Sequence, residues 1–133
     1  MSEILSASAL CAFVPDGSDR RELFSDVDLT LRPGTLSALE GPSGSGKTTL
    51  LAMLGGLLQP DAGEVRIAGE SIYALRDHHR TVLRRERVGM VFQDALLLPR
   101  LSLFDNVLAP TVPLGGHAAH RARAIMLLEQ VGL

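Results

Sequence analysis

Val27, Leu29 and Leu31 alternate with Asp26, Asp28 and Thr30, the period of two expected of a strand with one buried face. Arg32-Pro33-Gly34 then turns the chain, since proline presets one backbone angle and glycine frees the next. A short apolar run from Leu36 to Leu39 reads as another strand, ending at Gly41. Beyond it Leu50, Leu51, Leu54, Leu57 and Leu58 recur three and four residues apart, which predicts a helix with one apolar stripe. Gly55 and Gly56 weaken that helix, and Gln59-Pro60-Asp61-Ala62-Gly63 closes it in a turn.

Val65 and Ile67 open a further alternating strand that stops at Gly69. Tyr73 to Arg87 is polar and arginine-rich, with a helix in its middle, and Val88 to Phe92 reads as a strand buried on both faces, as in parallel sheets. Ser102 and Asp105 form a capping box before a short helix that stops by Pro110. A last helix from about Ala118 carries Ala124, Leu127, Leu128 and Val131 on one face and ends at Gly132. No repeat interrupts this order, and alternation of strand, loop and helix predicts an α/β fold.

The loop between the second predicted strand and the first predicted helix carries the chemistry. Gly41, Pro42, Ser43, Gly44, Ser45, Gly46, Lys47, Thr48 and Thr49 match G-x-x-x-x-G-K-[ST] at every fixed position. Glycines let main-chain N–H groups approach phosphate oxygens without a Cβ in the way. The helix that follows adds its unpaired donors and its dipole. Lys47 is the only lysine in the chain; it would reach the β- and γ-phosphates, while the Thr48 hydroxyl would hold Mg²⁺. A compact ammonium on a flexible stem suits a narrow loop better than the wide fork of arginine. A chance glycine-rich turn is the competing reading, and it leaves the lone lysine and the strand–loop–helix setting unexplained.

Composition narrows the setting. At 133 residues and a formal charge of −2, the chain is one domain or part of one, with no basic excess to suggest nucleic acid. A single cysteine, Cys11, excludes an internal disulfide and fits a reducing compartment. The longest apolar run, Leu50 to Leu58, is far shorter than the roughly 18 residues of a membrane span. A cytoplasmic location is therefore expected. The cluster Arg76, Arg80, Arg84, Arg85 and Arg87 with His78 and His79 reads first as a solvated helix face and second as a basic contact patch. His117 and His120 could share a face, but no third metal ligand is evident.

"LRPGTLSALEGPSGSGKTTLLAMLGGLLQPDAGEVRIAGESI" followed by "RRERVGMVFQDALLLPRLSLFDNVLAP" resembles the ATP-binding subunit of ABC transporters, in the branch of lipoprotein-releasing, macrolide-export and cell-division ATP-binding proteins. The resemblance runs from about Val27 to Leu133. It implies a P-loop NTPase-type core with an antiparallel β subdomain and the start of a helical subdomain, residues 1–133 being part of a nucleotide-binding domain. It implies ATP and Mg²⁺ as cofactors, with Gln93 as the glutamine that touches Mg²⁺ and the attacking water, and Asp94 to Arg100 at the contact with a membrane permease. It gives Phe13 as the candidate that stacks on adenine. It also implies a second ATP-binding subunit as homodimer partner, and a place on the inner face of the membrane through the permease.

Two departures from the family pattern stand out. Glu40 directly precedes Gly41, where relatives carry a small apolar residue. The "LSGGQ" signature, the strand ending in Asp-Glu and the switch histidine do not occur before Leu133. The expectation is then a piece cut before the second half of the core sheet, with exposed strand edges, that binds ATP but hydrolyses it poorly. The alternatives are a small P-loop nucleotide kinase or GTPase, in which Asp94 rather than Gln93 holds Mg²⁺, and a non-catalytic remnant of a truncated gene.

Overall fold

Two long strands begin the computed structural model, which describes residues 3–94, 96–114 and 118–133. β1 (Leu5–Asp16) and β2 (Asp19–Leu31) form an antiparallel hairpin, β3 (Ala62–Ile67) pairs with the other edge of β1, and β4 (Glu70–Ser71) pairs with β3. The sheet order is β2-β1-β3-β4. The α-helices are α1 (Lys47–Leu54), α2 (Asp77–Arg87), α3 (Leu103–Leu108) and α4 (Arg121–Gln130). The chain divides into two units, Met1–Met90 and Val91–Leu133.

In the first unit, Val27, Leu29 and Leu31 do turn inward while Asp28 and Thr30 face water. β1 keeps no such simple period. Its buried residues are Ala7, Leu10 and Ala12, because a bulge at Ala9 (φ 49°) shifts the phase by one residue. The bulged Ala9 N–H donates to Asp28 Oδ1 at 2.7 Å. Opposite it a side chain on Gly63 would put Cβ 2.4 Å from the Ala9 carbonyl oxygen, so only glycine fits there. Ala68 (φ 50°) and Gly69 (φ 84°) make the β3–β4 turn, with the two left-handed residues that suit the twist of a tight hairpin. Leu10, Val65 and Ile72 are fully buried with Leu50, Leu54 and Leu83 around them, so the core lies between the sheet, α1 and α2.

Three expectations change here. Leu36 to Leu39 and Val88 to Phe92 pair with no strand among the described residues. Leu36 and Val91 are fully exposed. A strand exists through its ladder hydrogen bonds, and the sheet's four strands leave both segments outside it. The first helix is also shorter than its leucines suggest. It stops at Leu54, and Gly56 (φ 72°) folds the chain back with Leu57 N–H on Ala52 O and Gly56 N–H on Met53 O, the two bonds of a Schellman cap. Leu50, Met53 and Leu54 are buried, whereas Leu51, Leu57 and Leu58 are about half exposed.

In the second unit, Ser102 caps α3 by accepting from Asp105 N–H at 3.0 Å, as the capping box predicts. A 3-10 stretch (Ala109–Leu114) follows. α3 and α4 pack on each other, with Leu108 and Ala124 buried and the Arg121 guanidinium 4.8 Å from the centre of the Phe104 ring. The apolar stripe expected on α4 is largely uncovered: Ala124 is buried, but Leu127 and Val131 are exposed. Gly132 (φ 80°) ends the helix in a second Schellman cap, with Leu133 N–H on Leu128 O.

Candidate functional site

The loop from Gly41 to Gly46 enters α1 on its last glycine. Gly46 occupies the left-handed region (φ 87°) and offers no side chain to cap the helix. The first N–H groups of a helix have no intrahelical partner. Those of Lys47, Thr48 and Thr49 therefore remain available at the mouth of the loop. The first helical bond runs from Leu50 N–H to Gly46 O at 2.8 Å. Within the loop Ser45 N–H donates to Pro42 O at 3.3 Å, which closes a tight turn around Gly44 (φ 78°).

Gly46 is fixed from outside as well. A Cβ there would lie 3.0 Å from Phe24 Cδ1 and 3.4 Å from Leu23 Cβ. β2 thus forms a wall against which the loop closes. An open cleft of about 370 Å³ lies in front, lined by Leu23, Ser43, Gly44, Gly46, Lys47, Thr48 and Thr49. The Lys47 ammonium folds back and donates to the carbonyl oxygens of Gly41 (2.8 Å) and Pro42 (2.7 Å). These neutral acceptors hold the cation at the loop, where an anion would give it stronger, charge-assisted bonds. Thr48 is exposed, so its hydroxyl is free to meet a hydrated cation. Glu40 is exposed and forms no ion pair among the described residues. Its carboxylate keeps its hydration instead of being buried beside the anion site. The donor set, with main-chain N–H groups, one ammonium and one hydroxyl around a space free of side chains, fits a nucleotide polyphosphate with Mg²⁺.

Ser43, Gly44 and Gly46 to Thr49 thus line one cleft, and Gly41 and Pro42 join it through the Lys47 ammonium, while Ser45 faces away from it. Phe13 does not line the cleft. It is half-buried on β1, its N–H donates to Asp61 Oδ2 at 2.8 Å, and the Arg20 guanidinium sits 5.3 Å from its ring centre. Hydrogen bonds from Arg20 first, then from the Phe13 N–H, hold the Asp61 carboxyl below its ordinary pKa. Gln93 lies in the second unit, exposed in a bend with Asp94. His78 and His79 are neighbours, their ring centres 5.7 Å apart, and no group of three metal-ligating side chains occurs among the described residues. His117 lies outside the described residues. The walls Leu23 and Phe24 escape sequence reading. The only local signal is their place in a strand, and their contact with the loop is made by the fold.

A family model described as ABC transporter matches residues 24–133. The chain is 41% identical over 131 residues to lipoprotein-releasing system ATP-binding proteins of Rhodopirellula baltica and of Xanthomonas oryzae pv. oryzae, covering 98% of this chain and 57% and 54% of theirs. It is 41% identical over its whole length to 21% of a macrolide export ATP-binding/permease protein of Yersinia pestis. It spans little more than half the length of the lipoprotein-releasing relatives. Among solved structures it is similar to the dimeric ATP-binding cassette MJ0796 bound to ADP and phosphate (TM-score 0.87, 31% identity, covering 97% of this chain and 57% of that one). It is also similar to a Clostridium perfringens protein described as part of an ABC transporter complex (TM-score 0.76, 25% identity, covering 100% of this chain and 52% of that one).

Proposed function

This chain belongs to the ABC transporter family, and from that premise we propose that residues 1–133 are the nucleotide-binding portion of a transporter's ATP-binding subunit, from the phosphate loop through the Gln93 loop to the first helices after it. The observation that carries the reading is the end of α1: an uncapped helix, entered through a left-handed glycine, with the ammonium of Lys47 held at its mouth.

In this reading Gly41 to Thr49 cradle the phosphates of ATP through their main-chain N–H groups. Lys47 exchanges the carbonyls of Gly41 and Pro42 for the β- and γ-phosphates, and its charge opposes theirs. Thr48 would hold Mg²⁺; by the family resemblance Gln93 would hold it as well and orient water, and Phe13 would stack on adenine. Bound Mg²⁺ supplies charge neutralisation on the phosphate oxygens. An amide suits the Gln93 position because it donates and accepts without adding charge. By likeness to lipoprotein-releasing and macrolide-export proteins, the subunit works in the cytoplasm as a pair. It drives release or export of a lipoprotein, peptide or drug through a membrane permease, which meets the Asp94–Arg100 segment.

The 133 residues alone are expected to bind Mg-ATP and hydrolyse it slowly, because hydrolysis depends on positioning water and stabilising charge and the family's motifs for those tasks are not among them. Phosphate release at a transporter-like rate that needs Lys47 would contradict this.

Thr48→Ala tests the metal role. ATP affinity measured across a Mg²⁺ titration should lose about tenfold in its metal-dependent part and little in its absence. Equal loss with and without Mg²⁺ would contradict the assignment.

A further inference from the structure

α1 is eight residues long, about 12 Å from end to end, and buries only Leu50, Met53 and Leu54. Apolar burial is non-directional. It turns that face of the helix to the sheet, and the Phe24 ring backs Gly46 at one end, but fine rotation and sliding along the axis need a directional restraint as well. Directional bonds are found at the end remote from the phosphate loop. The Arg84 guanidinium donates to the Gly56 carbonyl at 3.0 Å. The Tyr73 hydroxyl lies 2.5 Å from the carbonyl oxygens of both Met53 and Leu58, and its one proton serves one of them at a time. Two side chains of the segment 73–84 thus donate to carbonyls of the last turn and its exit, with the Met53 oxygen also accepting the Gly56 N–H of the cap.

The packing is as tight as the bonding. A Cβ on Gly56 would fall 2.3 Å from Ile72 Cδ1 and 3.3 Å from Arg84 Cγ and Cδ. The stem of Arg84 therefore lies flat on the cap while its fork grips the carbonyl. A cation there also opposes the negative end of the helix dipole.

We propose that Arg84 is a positioning residue for the phosphate loop. By gripping the cap at Gly56 it fixes the axial position and rotation of α1. Through them it sets where Lys47 and the free N–H groups at the other end point. The bonds Arg84 makes go to Gly56 and Thr81, neither of them in the loop, so its influence travels along a two-turn helix. The proposal rests on the reading of the loop as a Mg-ATP site, whose donors must meet phosphate oxygens within a fraction of an ångström.

Two variants of the full chain test it. Arg84→Met keeps the apolar stem and removes the fork; Arg84→Lys restores a charged donor. In nucleotide-free protein, the amide resonances of Gly46, Lys47 and Thr48 should shift in R84M and return towards wild type in R84K. In a Mg-ATP titration at a temperature where all three proteins are fully folded, Kd should rise about tenfold in R84M and recover to within about threefold in R84K. Unmoved loop resonances overturn the proposal, and so does an unchanged Kd beside a lowered Tm, which marks a structural bond only. Should wild type itself bind no Mg-ATP, the nucleotide reading fails, and the loop resonances alone decide whether Arg84 positions the loop.

Discussion

Gly46 is held by two independent constraints, a left-handed φ of 87° and the Phe24 ring where a Cβ would stand. Gly46→Ala is expected to destabilise the fold by about 1–2 kcal/mol, read as a lower urea midpoint. Ala68 is the opposite case. It sits at φ 50° beside Gly69, a conformation that asparagine tolerates better than alanine. Ala68→Asn should stabilise by about 0.5 kcal/mol, and a lower midpoint would contradict the turn. Tyr73 gives a third test, as the only tyrosine in the chain. Burial raises its pKa from 10.0 to about 12, against the lowering influence of Arg80 and Arg84. The folded protein therefore keeps a proton that the unfolded chain loses between pH 10 and 12. Its contribution is complete below pH 10 and fades as pH rises through 12. Phenolate absorbance should titrate near 12 in folded protein and near 10 in urea; one midpoint for both would contradict the half-buried hydroxyl.

Among the elements, α3 depends on one cap. Ser102 accepts from the Asp105 N–H and donates to Asp105 Oδ2, and Ser102→Ala should cost about 1 kcal/mol, seen as faster amide exchange in α3. Unchanged exchange would show that packing holds it instead. The cap was legible because it needs only four consecutive residues. The turn from Gly41 to Gly46 into α1 was legible for the same reason: its glycines and lysine act on their own backbone. Features that depend on a distant partner were not. The bulge at Ala9 exists through Asp28 and the glycine at 63, and no spacing within β1 announces it. Val88 to Phe92 has the composition of a buried strand, but composition cannot supply a neighbour to pair with. Leu57 and Leu58 continued the stripe by spacing, yet the two glycines before them already carried the signal to stop.

At the scale of the whole molecule, the two units differ in how much they cover. The first closes a core between sheet, α1 and α2, though Leu36, Leu51, Leu57 and Leu58 stay exposed on it. The second buries only Leu108 and Ala124 among its described apolar residues and leaves Leu96, Leu97, Leu98 and Val131 half or more exposed. The chain spans little more than half the length of its lipoprotein-releasing relatives, and the central claim is the proposed grip of its Gly41–Thr49 loop on phosphate. Titration calorimetry with Mg-ATP measures it most directly. Wild type should release heat with saturable one-site binding, and Lys47→Ala, folded to the same Tm within a few degrees, should release none. Equal heats from the two proteins, or none from wild type, would contradict the account.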